Sequence, residues 1–380
     1  MTMRPASEAE RRRLNETFAR LCAIPSPFGH ERACAEAVAR ELASIGIDVE
    51  EDGAAAKAGA ECGNLLARIP GRGERTILLC AHLDTVPEAG TIEPILDDGA
   101  WVSAGDTILG ADNKAAVAVI MEVARRCAVE SAPVNLELLF TVCEEVGLLG
   151  AQAFDVSTLR SDWGYVLDHA SPIGEIIVAS PTHYRFEGVF RGKSAHAGIR
   201  PEEGSSAIVA AAHAVAAMRL GRIDPDTTAN LARIEGGQPG GTNIVPERCR
   251  IAGEVRSLDP AKAESLLAEC IAHIHDAANT PPCACDVDVT TEKLFDGYRQ
   301  QPSAPAVAAA ERALLACGYK PARRSTGGGS DANAFESAGL HCTNLANGTE
   351  HNHEPRERVS VAALEGMLDV TFALLDACSD

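Results

Sequence analysis

Residues 76–142 contain a helix-forming stretch, GADNKAAVAVIMEVARR at 110–126, with one short apolar run on each side of it: TILLCA at 76–81 and VNLELLFTV at 134–142. The central stretch begins with polar residues, which suit a helix start, and continues with helix formers. The flanking runs have the length and composition of buried strands. WGYVL at 163–167 extends the pattern. Strands that alternate with helices predict an α/β fold with a mixed, mostly parallel sheet flanked by helices.

The pattern changes between residues 178 and 294. Here the order becomes strand, helix, two strands, helix, strand, with helices expected near 204–220 and 260–278. This βαββαβ order is typical of a ferredoxin-like sandwich with strands on one side and two helices on the other. The earlier alternation then resumes. We therefore predict a smaller domain at 178–294, inserted into a larger domain formed by 1–177 and 295–380.

Composition and charge exclude several classes of protein. Of the 380 residues, 46% are hydrophobic and 23% are charged, which is the balance of a soluble globular protein. The formal net charge of -20 disfavours binding to nucleic acid or to anionic membranes. No apolar run approaches the roughly 18 to 20 residues that span a bilayer, and no apolar signal region follows the basic residues 11–13. We expect a cytoplasmic protein.

The thirteen cysteines are expected to be free thiols. Their number is odd, the sequence shows no secretion signal, and Cys80 and Cys143 lie inside apolar runs typical of strands. Cys283 and Cys285 are close neighbours, but a lone CxC lacks the spacing of a structural zinc site.

Five short polar motifs stand where a predicted strand ends or a helix begins: AHLDTVP, ILGADNKAA, FTVCEEVG, YVLDH and EHNHEP. Open α/β sheets collect their ligands at such positions. The candidate donors in these motifs are two histidines and five carboxylates: His82, Asp84, Asp112, Glu144, Glu145, Asp168 and His353. Imidazole and carboxylate donors without a thiolate are expected at a two-zinc hydrolytic centre.

Each motif alone has an ordinary explanation, because a carboxylate at a helix start is usually a cap and a loop histidine is usually solvated. Together they favour a metal centre. The adjacent Glu144 and Glu145 offer a general base and a ligand. Asp84 follows His82 by two residues, so its carboxylate can orient the imidazole.

These motifs resemble the co-catalytic zinc exopeptidase superfamily that contains peptidase T, aminoacylase and succinyl-diaminopimelate desuccinylase, over nearly the whole chain. The resemblance implies a catalytic domain interrupted by a lid and dimerisation domain, and two divalent metal ions per subunit, zinc with cobalt or manganese as alternatives. It implies these roles: Asp112 bridges both metals, His82 and Asp168 bind one ion, Glu145 and His353 bind the other, Glu144 is the general base, and Asp84 orients His82.

The inserted domain carries three more matching motifs: GKSAHAG with His196, GGTNIVP with Asn243 and GEVRSLD with Arg256. The resemblance implies that His196 and Asn243 stabilise the tetrahedral intermediate, with His196 serving its own or the neighbouring subunit of a homodimer. It implies that Arg256 binds a substrate carboxylate, a task that suits its planar fork. The ordinary alternatives are an exposed turn residue for His196 and a surface ion pair for Arg256.

STGGGSDANAF at 325–335 has glycines before a helix start, a pattern that can favour anions. It lacks the GKS or GKT ending of a phosphate-binding loop. A similar stretch lines the substrate site in the peptidase T branch, so the resemblance assigns Gly328, Gly329, Ser330 and Asp331 to substrate contact.

The branch and the substrate follow from the resemblance as well. Asp168, rather than Glu, at the fourth ligand position favours an aminopeptidase acting on di- or tripeptides. The alternatives are an N-acyl amino acid deacylase with the same site and a binding protein without catalysis, against which the intact Glu144 argues. Asn113 stands where many relatives have Asp or Gly, at a junction where the resemblance implies a cis peptide.

Overall fold

The computed structural model describes residues 3–88, 90–170 and 172–379. The α-helices in that part of the chain are α1 (Glu8–Cys22), α2 (Arg32–Ser44), α3 (Ala55–Ala58), α4 (Ala111–Glu130), α5 (Leu149–Ala153), α6 (Ala207–Ala217), α7 (Pro260–Ala278), α8 (Pro305–Ala316), α9 (Asp331–Ser337) and α10 (Val361–Ser379).

The strands in the same ranges are β1 (Val49–Glu51), β2 (Leu65–Ile69), β3 (Thr76–His82), β4 (Pro94–Asp97), β5 (Ala100–Ser103), β6 (Asn135–Thr141), β7 (Trp163–His169), β8 (Glu175–Ser180), β9 (Thr182–Arg191), β10 (Gly221–Asp224), β11 (Thr227–Gly236), β12 (Arg248–Ser257), β13 (Asp286–Phe295), β14 (Tyr298–Arg299), β15 (Ala322–Ser325), β16 (Cys342–Ala346), β17 (Thr349–Glu350) and β18 (Arg358–Ser360).

The chain forms two compact units, and the first comprises residues up to Ala179, Arg299–Thr326 and the chain from Ser330 onward. Its main sheet has the strand order β1-β2-β6-β3-β7-β16-β8-β14, and β15 also pairs with β8. Strand β3 is parallel to β6 and β7, and β16 is parallel to β7. The pairs β2 with β6 and β16 with β8 are antiparallel. The prediction of a mixed sheet with mostly parallel centre strands is confirmed.

Burial explains why the central elements read as continuous apolar runs. Every residue of β3 from Ile77 to His82 is buried. Helix α4 is buried on nearly all sides and packs against β3, α1 and α10. A strand covered on both faces and a helix enclosed by other elements have no solvent face, so neither needs polar positions at regular intervals.

Helix α1 is joined to α4 by a buried ion pair. Ser7 and Glu10 form a capping box at the start of α1. The Glu10 carboxylate also accepts two hydrogen bonds from Arg126, at 2.7 Å from Nε and 2.8 Å from Nη2. Both side chains are almost fully buried. The Arg126 guanidinium lies over the Phe372 ring, 3.4 Å from its centroid.

The second unit comprises Ser180–Tyr298 and Gly327–Gly329. Its antiparallel sheet has the order β10-β11-β12-β9-β13. Phe186 and Phe190 of β9 are buried and pack in a core with α6 and α7. The predicted βαββαβ order is present, and the short β10 adds a strand that the pattern did not predict, because GRID is brief and half polar.

No helix in the described ranges is long and apolar enough to cross a membrane. The cysteines, all of which lie in those ranges, are free. Only Cys283, Cys285 and Cys317 are partly exposed, while the others are buried. The prediction of free thiols is confirmed.

Candidate metal centre

Three of the five candidate metal ligands lie at or just beyond the carboxyl ends of three adjacent parallel strands, whereas Asp112 lies at the start of α4 and His353 lies between β17 and β18. His82 is the last residue of β3 and pairs with Thr141, the last residue of β6. Glu144 and Glu145 lie in the turn that begins two residues after β6, and Asp168 lies near the end of β7. Parallel strands end at one edge of a sheet, so three segments far apart in sequence deliver polar side chains to one place.

The structure brings together all five residues that the sequence predicted as ligands. The His82 Nε2 atom lies 3.2 Å from Asp112 Oδ1 and 3.4 Å from Asp168 Oδ1. The His353 Nε2 atom lies 3.4 Å from Asp112 Oδ2 and 3.0 Å from Glu145 Oε1. The two oxygens of Asp112 therefore face different histidines, and each histidine is accompanied by one further carboxylate.

Glu144 lies in the same cluster. Its carboxylate, with His82 and Asp168, forms a group whose donor atoms all lie within 4.8 Å of one another. His82, Asp112 and Glu145 form a second such group. The donors are imidazole nitrogens and carboxylate oxygens, the set that suits zinc and other divalent first-row ions.

The electrostatics of the cluster indicate an excess of negative charge. Burial and the Asp168 carboxylate raise the pKa of Glu144 well above its ordinary value. Burial and the Asp112 carboxylate do the same to the pKa of Asp168. Hydrogen bonds to Asp112 and Glu145 raise the pKa of His353 to about 10. Divalent cations would supply the positive charge that the two histidines alone do not provide, so the residues fit a metal centre.

Asp84 supports the cluster in two ways. His82 Nδ1 lies 2.9 Å from the Asp84 backbone carbonyl oxygen and 3.4 Å from its carboxylate. The same carboxylate accepts the backbone N–H groups of Glu144 and Glu145, each at 3.0 Å. Asp84 thus contacts the imidazole that it was predicted to orient, and it also fixes the turn that carries the two glutamates.

Asn113 is part of a buried amide chain beside the cluster. Its Nδ2 donates to Asp168 Oδ1 at 3.2 Å, and its Oδ1 accepts from Asn347 Nδ2 at 3.2 Å. The peptide between Asp112 and Asn113 is cis, as the resemblance implied. The Asn113 side chain thus contacts one of the candidate ligands, Asp168.

The glycine-rich stretch is divided between the two units. Gly328 accepts a hydrogen bond from Ser180 Oγ at 2.8 Å, and a Cβ on Gly329 would lie 2.3 Å from the Phe295 ring. Ser330 caps α9. Asp331 is 1% exposed and accepts a hydrogen bond from Thr141. Burial raises the pKa of Asp331 to about 6. Substrate contact by this stretch stays a prediction.

The three predicted site residues of the second unit are partly or fully exposed. His196 and Asn243 are neighbours, because the Ala197 N–H donates to the Asn243 carbonyl at 2.9 Å. Arg256 donates from Nε and Nη2 to Glu254, and from Nη1 to the Gly327 carbonyl at 3.3 Å. The Arg256 guanidinium is thus held in a defined orientation.

Two residues near the cluster were missed by the sequence analysis. Asn352 Nδ2 donates to Asp112 Oδ2 at 2.8 Å. Glu357, which is 2% exposed, accepts backbone N–H groups from the turn before α4. Asn352 stands between two histidines, which is a weak signal. Glu357 lies in the charged stretch EPRER and resembles a solvated surface residue, so no sequence pattern distinguishes it.

Comparisons with known proteins show which family the chain resembles. Residues 182–280 match the model of a peptidase dimerisation domain, and residues 64–169 match that of peptidase family M28. The chain is 36% identical to the protein YqjE of Bacillus subtilis, over 96% of this chain and 98% of that one.

Two crystal structures resemble the whole chain. The aminopeptidase PepT from Bacillus cereus is 36% identical, with 97% of this chain and 99% of that chain covered and a TM-score of 0.86. A tripeptidase from Staphylococcus aureus is 30% identical, with 97% and 98% covered and a TM-score of 0.90. The chain therefore belongs to the peptidase T-like metallopeptidases of the co-catalytic zinc exopeptidase superfamily.

Proposed function

We propose that the chain is a two-metal aminopeptidase that removes the N-terminal residue from di- or tripeptides. The proposal rests chiefly on Asp112, whose two carboxylate oxygens face His82 and His353 separately. A carboxylate in that position can bridge two cations, as two-metal hydrolysis requires. The two similar crystal structures are named an aminopeptidase and a tripeptidase, which supports the substrate class.

The proposed ions are zinc, with cobalt or manganese as alternatives. His82 and Asp168 would hold one ion, Glu145 and His353 would hold the other, and Asp112 would contact both. When bound, the ions polarise the scissile carbonyl and lower the pKa of the attacking water.

Glu144 is the proposed general base. It takes a proton from the attacking water and returns it to the amine that leaves, so a single carboxylate serves both halves of the reaction. The Glu144 carboxylate lies in one group with His82 and Asp168, so it would stand beside an ion held by those two residues. Asp84 fixes the Glu144 backbone and so limits the positions that the side chain can reach.

The second unit supplies the proposed substrate contacts. Arg256, held by Glu254 and Gly327, would bind the terminal carboxylate of a short peptide, which limits substrate length. His196 and Asn243 would stabilise the oxyanion that forms at the attacked carbonyl. The match of residues 182–280 to a peptidase dimerisation domain supports a homodimer, in which either copy of His196 can serve. We place the enzyme in the cytoplasm.

The adjacent glutamates provide a matched pair of variants. Glu144→Gln should retain two metal ions per chain and lose about 100- to 10,000-fold in kcat. Glu145→Gln should lose metal affinity along with activity. Metal content after dialysis measures the bound ions of each variant, and steady-state kinetics on a tripeptide measures its kcat. A Glu144→Gln variant with wild-type turnover would overturn the assignment of the base, and loss of metal from it would make Glu144 a ligand.

The substrate is tested with a peptide library on protein loaded with zinc, cobalt or manganese. Mass spectrometry reads which end of each peptide loses a residue. We expect loss of the N-terminal residue from free-amino di- and tripeptides and no reaction at their N-acetylated counterparts. A preference for the acylated forms would indicate the deacylase, and binding without product across all metals would indicate a protein without catalysis.

A further inference from the structure

A buried carboxylate connects the two loops that carry Asp112 and His353. Glu357 is 2% exposed and lies four residues after His353. Its Oε2 accepts the backbone N–H groups of Leu109 at 2.8 Å and Gly110 at 2.7 Å, and its Oε1 accepts the N–H of Asp112 at 2.8 Å. One side chain thus satisfies three backbone donors around the start of α4.

The N–H groups of Leu109 and Gly110 are shielded from water. Leu109 is fully buried, and Gly110, the residue that caps α4, has φ +74°. The backbone therefore turns sharply just before Asp112, and its N–H groups converge on one point. A carboxylate is suited to that point because it has only acceptors, whereas an amide would direct its own N–H groups at one of the donors.

The loop of His353 contacts Asp112 from its own side as well. The Asn352 Nδ2 donates to Asp112 Oδ2 at 2.8 Å, and the Glu357 backbone N–H donates to the Glu354 carbonyl at 2.9 Å. Residues 351–357 thus form a compact turn that touches the Asp112 side chain at one end and the Asp112 backbone at the other. A shift of either loop would alter the spacing between Asp112 and His353.

We propose that Glu357 is a positioning residue that sets the spacing of Asp112 and His353 and thereby governs the affinity for both metal ions. This inference rests on the proposed two-metal function. The Glu357 carboxylate binds three backbone N–H groups, so it would act through the backbone of Asp112, the residue that would contact both ions. Its loss should therefore weaken both metal sites together, whereas removal of the His353 imidazole should weaken one.

The test is metal binding to purified full-length protein, without any peptide. Zinc is titrated calorimetrically into the metal-free Glu357→Gln variant at a temperature where circular dichroism shows an intact fold. We expect both dissociation constants to rise about 10-fold or more, the range found for groups that orient metal ligands. The visible spectrum of the cobalt-loaded protein should also change, because it reports the geometry of the ligands.

Glu354→Gln is the matched control, since Glu354 lies in the same turn, is exposed and pairs only with Arg356 among the described residues. It should bind zinc as the wild type does. If Glu357→Gln does not fold, Glu357→Asp replaces it, because the shorter carboxylate keeps the charge but cannot span both loops. Two ions bound by the folded variant with wild-type affinity and an unchanged cobalt spectrum would overturn the inference.

The outcome is separable from that of the proposed function. If the wild type binds two ions and cleaves no peptide, the aminopeptidase assignment fails while the effect of Glu357 on metal binding can still be measured. If the wild type cleaves tripeptides and Glu357→Gln binds metal normally, the positioning role fails and the enzyme assignment stands.

Discussion

A methyl group added at Gly150 should displace the turn that carries Glu144 and Glu145. The Gly150 N–H donates to the Val142 carbonyl at 3.0 Å, and Asn64 bonds to both of these residues. An alanine Cβ at position 150 would lie 2.1 Å from the Val142 oxygen. Carbon and oxygen atoms in proteins rarely approach within about 3.3 Å, so the two segments must move apart by about 1.2 Å.

The effect on activity follows from the place of Val142, two residues before Glu144. A displacement of about 1 Å in catalytic groups costs on the order of 100-fold in rate, which corresponds to about 2.7 kcal/mol of transition-state stabilisation. Overpacking should also lower the free energy of unfolding by about 1–3 kcal/mol. That loss equals or exceeds the gain of roughly 1 kcal/mol that alanine brings over glycine inside a helix, so the net change in the free energy of unfolding is expected to lie between about 0 and a loss of about 2 kcal/mol.

Two measurements check this prediction: steady-state kinetics on a tripeptide with zinc-loaded protein, and urea denaturation of the metal-free protein. Gly105→Ala is the control, because a Cβ at Gly105 meets nothing within 4 Å, and it should behave as the wild type does. A Gly150→Ala variant with wild-type kcat would refute the reasoning.

Glu10→Gln should lower the free energy of unfolding by about 3–5 kcal/mol, because the buried guanidinium of Arg126 loses its carboxylate partner. Urea denaturation measures this loss, with the exposed Glu16→Gln as the control. A loss no larger than that of the control would contradict the prediction. Burial alone would raise the pKa of Glu10, but Arg126 and Ser7 hold it well below its usual range. The stabilisation by Glu10 is therefore complete above the unfolded pKa and declines as pH falls from about 4 towards the folded pKa. The free energies of unfolding of wild type and variant should converge in acid. A difference between them that stays constant down to pH 2 would be inconsistent with this linkage. His353→Ala should retain one metal ion after dialysis, because the His353 imidazole would hold only one of the two ions in the proposed site. Metal analysis that finds two retained ions would count against that arrangement.

Most of the candidate cluster was accessible from the sequence because of where its residues stand. His82, Asp112, Glu145 and Asp168 each follow a buried apolar run or open a helix, and the carboxyl ends of parallel strands must meet at one edge of the sheet. The order of strands and helices also revealed the inserted βαββαβ unit. His353 lies in a loop without such a constraint. The EHNHEP motif made it a candidate donor, and the resemblance to a family paired it with Glu145.

Other features needed the tertiary structure. Glu357 acts by accepting hydrogen bonds from backbone N–H groups, and Asp84 fixes the turn of Glu144 and Glu145 in the same way. Every residue except proline carries a backbone N–H, so no side-chain pattern reveals these contacts. Asp331 reads as one of several polar loop residues, and only packing shows that it is buried beside Thr141. Sequence by itself determines which chemical groups are present and at which strand ends they lie. Distances between them, and the groups that hold them there, depend on contacts between segments as far apart as Asp112 and Glu357, which form only when the chain is folded.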